Sequence, residues 1–483
     1  MAEPLPYDKK DPFSIERYAK KLLDTSLRAL YGNVVTSGKG KGNFGNLIEQ
    51  VHFQYKPNSV SQPDFPEAGV ELKTTPLKKI GKGLVSKERL VFNMIDFEND
   101  HIGHFRKSSF WKKNSLLLLM FYLYERDELN VDHLFKIIRL WRFPSKDLKI
   151  IIDDWNKIIQ KIRDGKAHEI SESDTLYLGA CTKGVNKGSL RKQPFSDIPA
   201  MRRAYSLKQN YINFIIQETL HKGEILADDS EYESILQEPL GSYETLAAEP
   251  SGLYGKKLLK EVEAVVKDVS EYKPEETFEE LVIRKFKPYY GCSEKELIKE
   301  FALDVDAKAK AKFEVIAKAI LGVRKKRIEE FEKADVLMKT IRIEFNGSIK
   351  ESMSFRQIQY KEIIKEDWLG STWYEELNRR FFFVVFQADD RGEYRLKKVK
   401  FWSIPSNDMA TLEKVWSDTK RRISKGDFDH FIKASDERIG HVRPKALNAQ
   451  DLMEAPDGSM QKKKCFWLNG SYIKKVVSYS QEG

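Results

Sequence analysis

Cysteine is scarce in this chain of 483 residues, and the three that occur, Cys181, Cys292 and Cys465, lie far apart. They have no metal-ligand spacing and build no disulfide framework, which points to a reducing compartment. Long apolar runs are also missing: the longest, residues 116–124, has the length of a strand and falls short of a membrane span. The opening Met1-Ala2-Glu3-Pro4-Leu5-Pro6 lacks the apolar core of an export signal. A soluble, cytoplasmic protein is the expectation, with no membrane partner. Acidic charge is in deficit, with 73 Asp+Glu against 83 Lys+Arg and a net charge of +10. That balance favours a polyanionic partner without separating DNA from RNA. The length exceeds one typical core, so two or three domains are expected.

The chain is organised around Asp64-Phe65-Pro66-Glu67-Ala68-Gly69-Val70-Glu71-Leu72-Lys73-Thr74. It reads as an acidic turn feeding a short strand. Alternation puts Val70, Leu72 and Thr74 on one face, so Glu71 and Lys73 project together from the other. Two carboxylates beside an ammonium are what metal-assisted phosphodiester hydrolysis needs. Asp64 and Glu71 would hold Mg²⁺, a hard cation that takes oxygen ligands. Lys73 would orient or deprotonate water and offset charge on a phosphate. Spacing alone does not define a site, because Glu271-Tyr272-Lys273 fits it equally and a solvated Glu–Lys pair is the commoner outcome.

Upstream, Asp11-Pro12 opens a helix whose apolar stripe runs through Ile15, Tyr18, Leu22, Ala29 and Leu30 to a stop at Gly32. Ser37-Gly38-Lys39-Gly40-Lys41-Gly42 is a basic loop, either solvated or tracking phosphates. A helix start at Asn43 carries Glu49, close enough in sequence to join the acidic pair. Downstream, Gly81 and Gly83 suggest a hairpin turn with residues 90–95 as the return strand. Ser145 opens a helix with Leu148, Ile152, Trp155, Ile159 and Ile162 inward and Gly165 as its stop. Another helix runs from about Tyr211 to Thr219. Residues 224–276 are acidic at Asp228-Asp229-Ser230-Glu231-Tyr232-Glu233 and broken at Pro250-Ser251-Gly252. They read as a linker or surface excursion, helical over 256–267.

The second half repeats the first. Trp141 answers Trp402, Pro144 answers Pro405, Trp155 answers Trp416, Gly165 answers Gly426, Gly179 answers Gly440 and Tyr211 answers Tyr472, each 261 residues on. Tyr205 likewise answers Phe466. Glu71-Leu72-Lys73 answers Leu337-Met338-Lys339 with a small slip. Two copies make a duplicated domain and not a solenoid. In the second copy Glu71 becomes Leu337, Asp64 falls opposite Glu330 and Glu49 roughly opposite Lys318, while Lys73 persists as Lys339. A leucine cannot ligate Mg²⁺, so one cutting copy and one binding copy are expected.

Asn46-Leu47-Ile48-Glu49, then Asp64, then Gly69-Val70-Glu71-Leu72-Lys73-Thr74 closely resembles the MutH family of PD-(D/E)xK nucleases. The two-copy length, with Ser86-Lys87-Glu88-Arg89-Leu90, Cys181-Thr182-Lys183-Gly184 and Ser206-Leu207-Lys208, looks like the family's Sau-3AI type of GATC-cutting restriction endonuclease. The resemblance implies an α/β fold of two related restriction-endonuclease-like domains, each a mixed sheet flanked by helices. Residues 1–223 would be the catalytic domain, 224–276 an inter-domain segment and 277–483 a degenerate DNA-binding copy. It implies Mg²⁺-dependent cleavage of double-stranded DNA at GATC. One active site per chain then calls for either dimerisation on DNA or sequential nicking, and dimerisation is the expectation. Glu49, Asp64, Glu71 and Lys73 would form the active site, and Lys113 falls where the family has a further lysine. His441-Val442-Arg443-Pro444-Lys445 looks like the family's base-contacting loop. Lys183, Arg191, Tyr205 and Lys208 in the first copy, and Arg443, Lys445 and Trp467 in the second, are the implied DNA contacts.

Overall fold

The computed structural model describes residues 5–32, 43–55, 62–81, 83–183, 188–224, 226–230, 232–236, 261–306, 311–349, 352–436, 439–448 and 450–478. The basic loop at residues 37–42, Gly184, and residues 250–252 and 256–260 of the expected linker lie outside them. The chain divides into two compact units, Met1–Phe278 with Lys325–Asp335, and Glu279–Arg324 with Val336–Gly483.

The first unit is built on β1 (Val70–Ile80), β2 (Gly83–Ser86), β3 (Leu90–Met94), β4 (Leu116–Leu123), β5 (Phe135–Trp141), β6 (Leu178–Thr182), β7 (Leu190–Gln193), β8 (Ser196–Met201) and β9 (Arg203–Leu207). One mixed sheet has the order β2-β1-β4-β5, in which β1 runs parallel to β4 and the other pairs are antiparallel. A second sheet has the order β3-β9-β6, and β7-β8 is a hairpin. Val70 and Leu72 pack with Leu116, Leu118 and Met120 beneath helix Asn43–Val51, whose Phe44 and Ile48 face the same core. The alternation expected from sequence is therefore used: the apolar face of β1 is spent on the core, and Glu71 and Lys73 share the other.

The hairpin expectation needs correcting. The turn at Gly81, with φ +57°, is there, but the returning strand is β2. The residues expected to return, β3, pair instead with β9 in the other sheet. Residues 11–32 are also not one helix. Helix Pro12–Ala19, capped by Asp11, ends in a 3-10 turn, and Ser26 caps a new helix, Leu27–Tyr31. Helix Ser145–Arg163 and helix Gln209–Lys222 form where the apolar spacing places them, with Trp155 buried.

The described part of residues 224–276 is not a loose linker. Val262–Glu263, expected to be helical, forms β10 and pairs in parallel with β11 (Arg327–Ile328), and Val262, Val265 and Val266 are buried. Lys333 ties the returning segment to helix Ser145–Arg163 through Asp147 at 2.8 Å. A linear boundary near residue 277 does not anticipate that return.

The second unit has sheets β12-β14-β15 and β13-β19-β16 and the hairpin β17-β18, formed by β12 (Val336–Ile343), β13 (Met353–Gln357), β14 (Arg380–Ala388), β15 (Tyr394–Trp402), β16 (Gly440–Pro444), β17 (Leu452–Glu454), β18 (Met460–Lys462) and β19 (Lys464–Leu468). The pairing senses match: β12 is parallel to β14 as β1 is to β4, and β14 is antiparallel to β15 as β4 is to β5. A hydrogen bond is duplicated as well. Tyr211 donates to Asp147 at 2.7 Å and Tyr472 to Asp408 at 2.6 Å. One equivalence shifts. Gly440 pairs with Leu468, whereas Gly179 pairs with Ser206, so Gly440 takes the place of Leu178 and the second copy carries one extra residue before β16.

Candidate active site

Phe65 and Val70 bridge across the turn at Gly69, whose φ of +66° suits glycine. The turn folds Asp64 back over β1. Its carboxylate accepts the Leu72 N–H at 2.9 Å, and its own N–H donates to Glu71 Oε2 at 3.2 Å. Lys73 Nζ donates to Glu71 Oε1 at 2.6 Å, and Lys113 Nζ lies 3.6 Å from the same oxygen. Lys113 comes from helix Ser109–Asn114, capped by Ser108. The structure thus brings Asp64, Glu71, Lys73 and Lys113 together.

Glu49 belongs to the same electrostatic cluster. Burial, then the charges of Asp64 and Glu71, push its pKa up to about 7 against the opposing pull of Lys73 and Lys113. Burial also lifts Glu71 to about 7; Lys73 and Lys113 oppose this, and Asp64 adds to it. Glu71 is 2% exposed and Glu49 9%. The lysines leave the buried negative charge incompletely compensated, an arrangement that favours a further cation. Among the described residues, no three Asp, Glu, His or Cys side chains form a ready-made metal cage. The Asp64–Glu71 pair fits Mg²⁺ nevertheless, because that ion commonly uses one or two carboxylates and fills its remaining positions with water and phosphate oxygens.

Tyr55 was not visible as a site neighbour in the sequence. Its buried hydroxyl has no hydrogen-bond partner among the described residues. Burial and the charges of Asp64, Glu49 and Glu71 raise its pKa.

In the second unit, Leu337 faces Phe381 and Lys339 faces Phe383, the places that Glu71 and Lys73 hold opposite Leu117 and Leu119. Phe44 meets Tyr122 at 4.9 Å, and Phe313 meets Phe386 at 4.8 Å. That pairing aligns helix Asn43–Val51 with helix Lys312–Ile320 and puts Lys318 in the place of Glu49. The serine-capped helices Ser109–Asn114 and Thr372–Leu377 put Glu376 in the place of Lys113. Glu330 is spent on the backbone, accepting the N–H groups of Val265 and Val266 at 2.9 and 3.0 Å.

The expected DNA contacts divide. Arg443 and Lys445 are exposed on one edge, and both cations lie over the Trp467 ring, at 3.9 and 5.7 Å. Lys445 also donates to Ser354 Oγ at 2.9 Å. By strand register Arg443 replaces Cys181, and Lys445 matches Lys183. Arg191 is exposed on β7, and Lys183 is half-buried at the end of β6. Two assignments are corrected. Tyr205 is fully buried, donates to Asp100 at 3.1 Å and packs on Phe110, so it is a core residue. Lys208 turns its ammonium to the carbonyl of Thr175 at 2.7 Å, which makes it a structural tie.

A mixed sheet with a glutamate and a lysine on its central parallel strand and an aspartate folded back over it, duplicated with altered chemistry, defines a tandem restriction-endonuclease-like protein. The model of the DNA mismatch repair enzyme MutH matches residues 53–154 and 323–414, once in each half. The chain is 32% identical to the type II restriction enzyme Sau3AI of Staphylococcus aureus over 96% of its own length and 98% of that protein. It is 29% identical to the DNA mismatch repair protein MutH of Shewanella amazonensis over 38% of its own length and 83% of that protein. The chain belongs to the MutH-related family of restriction endonucleases.

Proposed function

We propose that this chain is a type II restriction endonuclease that cleaves double-stranded DNA at GATC with Mg²⁺, using the first unit to cut and the second to bind DNA as an effector. The observation that carries the reading is the buried Glu71 carboxylate, shared by Lys73 and Lys113 and linked to Asp64 by a backbone hydrogen bond. Asp64 and Glu71 would hold the ion. When bound, Mg²⁺ supplies a Lewis acid for the scissile phosphate and a water of lowered pKa. The Leu72 N–H fixes the Asp64 carboxylate. Lys73 orients the attacking water and offsets charge gathering on the phosphate, and Lys113 adds a second positive charge from the neighbouring helix. Water adds to phosphorus in line, the bond to the 3′ oxygen breaks, and a 5′-phosphate remains. Glu49 completes the acidic wall.

Leu337 and Lys318 remove two carboxylates from the second unit, which supports a binding role there. Arg443, Lys445 and Trp467 form its DNA-facing edge, and Lys183 and Arg191 the corresponding edge of the first unit. One active site per chain makes a double-strand cut either by dimerisation on DNA or by sequential nicking, and dimerisation is the route proposed. Cleavage rates should rise more steeply than linearly with enzyme concentration, and strict first-order dependence through a nicked intermediate would count against it.

Nicking at hemimethylated GATC in mismatch repair is the competing activity. Near full-length alignment with a restriction enzyme, against 38% of the chain for the repair protein, favours restriction. Incubating GATC-containing and GATC-free plasmids with the protein tests the reading. Linear fragments only from the first plasmid, and only with Mg²⁺, are expected. Nicked circles alone would favour the repair activity, and no cutting of either plasmid would favour a binding protein.

A further inference from the structure

The first unit sets its strand lysine beside Glu71 and Glu49; the second has replaced both glutamates and kept the lysine. Lys73 spends its ammonium on Glu71 at 2.6 Å. Lys339, at the same register position, has Leu337 in place of that glutamate and Lys318 in place of Glu49. Two carboxylates still act on it, Glu314 and Glu376, together with the cations Lys445 and Arg379. Both carboxylates are engaged elsewhere. Glu314 pairs with Lys318 at 2.9 Å; Glu376 pairs with the Arg356 side chain at 3.4 Å and accepts the Arg356 N–H at 3.2 Å.

The Lys339 ammonium makes no hydrogen bond or ion pair with any described residue, although β12 leaves the side chain only partly exposed. Burial, and then the like charge of Lys445, push its pKa below the ordinary lysine value. A partly buried ammonium without a counter-ion is unfavourable, and an arriving anion would offset that cost. The Lys445 charge that acts on it belongs to the same edge as Arg443 and Trp467.

We infer that the remodelled cleft of the second unit seats a backbone phosphate of duplex DNA on Lys339, supported by Lys445, without a metal ion. Duplication has then given one cleft that gathers a cation and one that takes the phosphate directly. The inference rests on the reading of the second unit as a DNA binder.

The test uses the full chain and a fluorescent GATC duplex in EDTA, with binding followed by anisotropy across a salt series. Each phosphate contact contributes about 0.9 to the slope of log affinity against log salt. Lys339→Gln should therefore weaken binding and flatten the slope by about one, while Lys339→Arg, which keeps the charge, should preserve it. An unchanged slope in Lys339→Gln, with Arg443→Ala weakening binding, would overturn the phosphate seat and leave the DNA-binding reading standing. Unchanged binding in both variants would overturn that reading and the inference with it. A flattened slope in Lys339→Arg as well would also overturn the inference, because charge is the property it assigns.

Discussion

Leu337 occupies in β12 the register position that Glu71 occupies in β1, each one residue after the strand begins and two before a lysine. Strand, neighbour and lysine are kept, and the carboxylate is gone.

Restoring that carboxylate alone should not restore chemistry. Leu337→Glu in a Glu71→Ala background leaves Lys318 and Glu376 where the first unit has Glu49 and Lys113. No GATC-plasmid cleavage above that of Glu71→Ala is expected in a gel time course. Recovered cutting would show that the second cleft lacks only its leucine-to-glutamate change.

Arg443 lies over Trp467 at 3.9 Å, a contact that holds the guanidinium on the exposed edge. If it reads a guanine edge, Arg443→Ala should cost about 1–3 kcal/mol of discrimination. Competition between GATC and scrambled duplexes at fixed salt measures it. An equal loss on both duplexes would make Arg443 a phosphate contact and not a base reader.

Acid should destabilise the first unit through His52. The ring is fully buried, stacked on Tyr18, with Nε2 3.1 Å from the Tyr18 carbonyl and Nδ1 2.7 Å from the Tyr31 hydroxyl. Burial holds its pKa down at about 4, below the ordinary 6.5. The unfolded chain then binds the proton more readily than the folded one, so stability is full above pH 6.5 and falls as pH drops toward 4. The total loss is about 3 kcal/mol at roughly 1.4 kcal/mol per unit. Glu49 and Glu71, lifted to about 7, act in the opposite sense over the same window, so the wild type is compared with His52→Gln by thermal unfolding. The wild type should lose more stability than His52→Gln as pH falls from 6.5 to 4, and the same pH dependence in both would contradict the assignment.

The site was legible where local rules decide it. Strand alternation put Glu71 and Lys73 on one face, and the repeat of tryptophans, prolines and glycines exposed the duplication. What was hidden depends on distant pairing. Leu90–Met94 looks like the near half of a hairpin but joins β9, more than a hundred residues on. Tyr205 entered as a DNA contact implied by the resemblance, yet helix Ser109–Asn114 covers it with Phe110. The return of Lys325–Asp335 to the first unit, through Lys333 and β11, has no signal in composition. Lys113 came from resemblance alone, since nothing in its local sequence points it at Glu71.

The most direct test of the central claim, a single cutting cluster centred on Glu71, is single-turnover cleavage of a GATC duplex with Mg²⁺ by Glu71→Ala, with binding of the same duplex measured in parallel. Metal ligation is lost together with the Glu71 contacts to Lys73, Lys113 and the Asp64 N–H, none of which is assigned to DNA binding, so cleavage should fall by about 10³-fold or more, equivalent to about 4 kcal/mol of barrier, while affinity stays near that of the parent chain. Near wild-type turnover in Glu71→Ala would contradict the assignment and place the chemistry elsewhere in the chain.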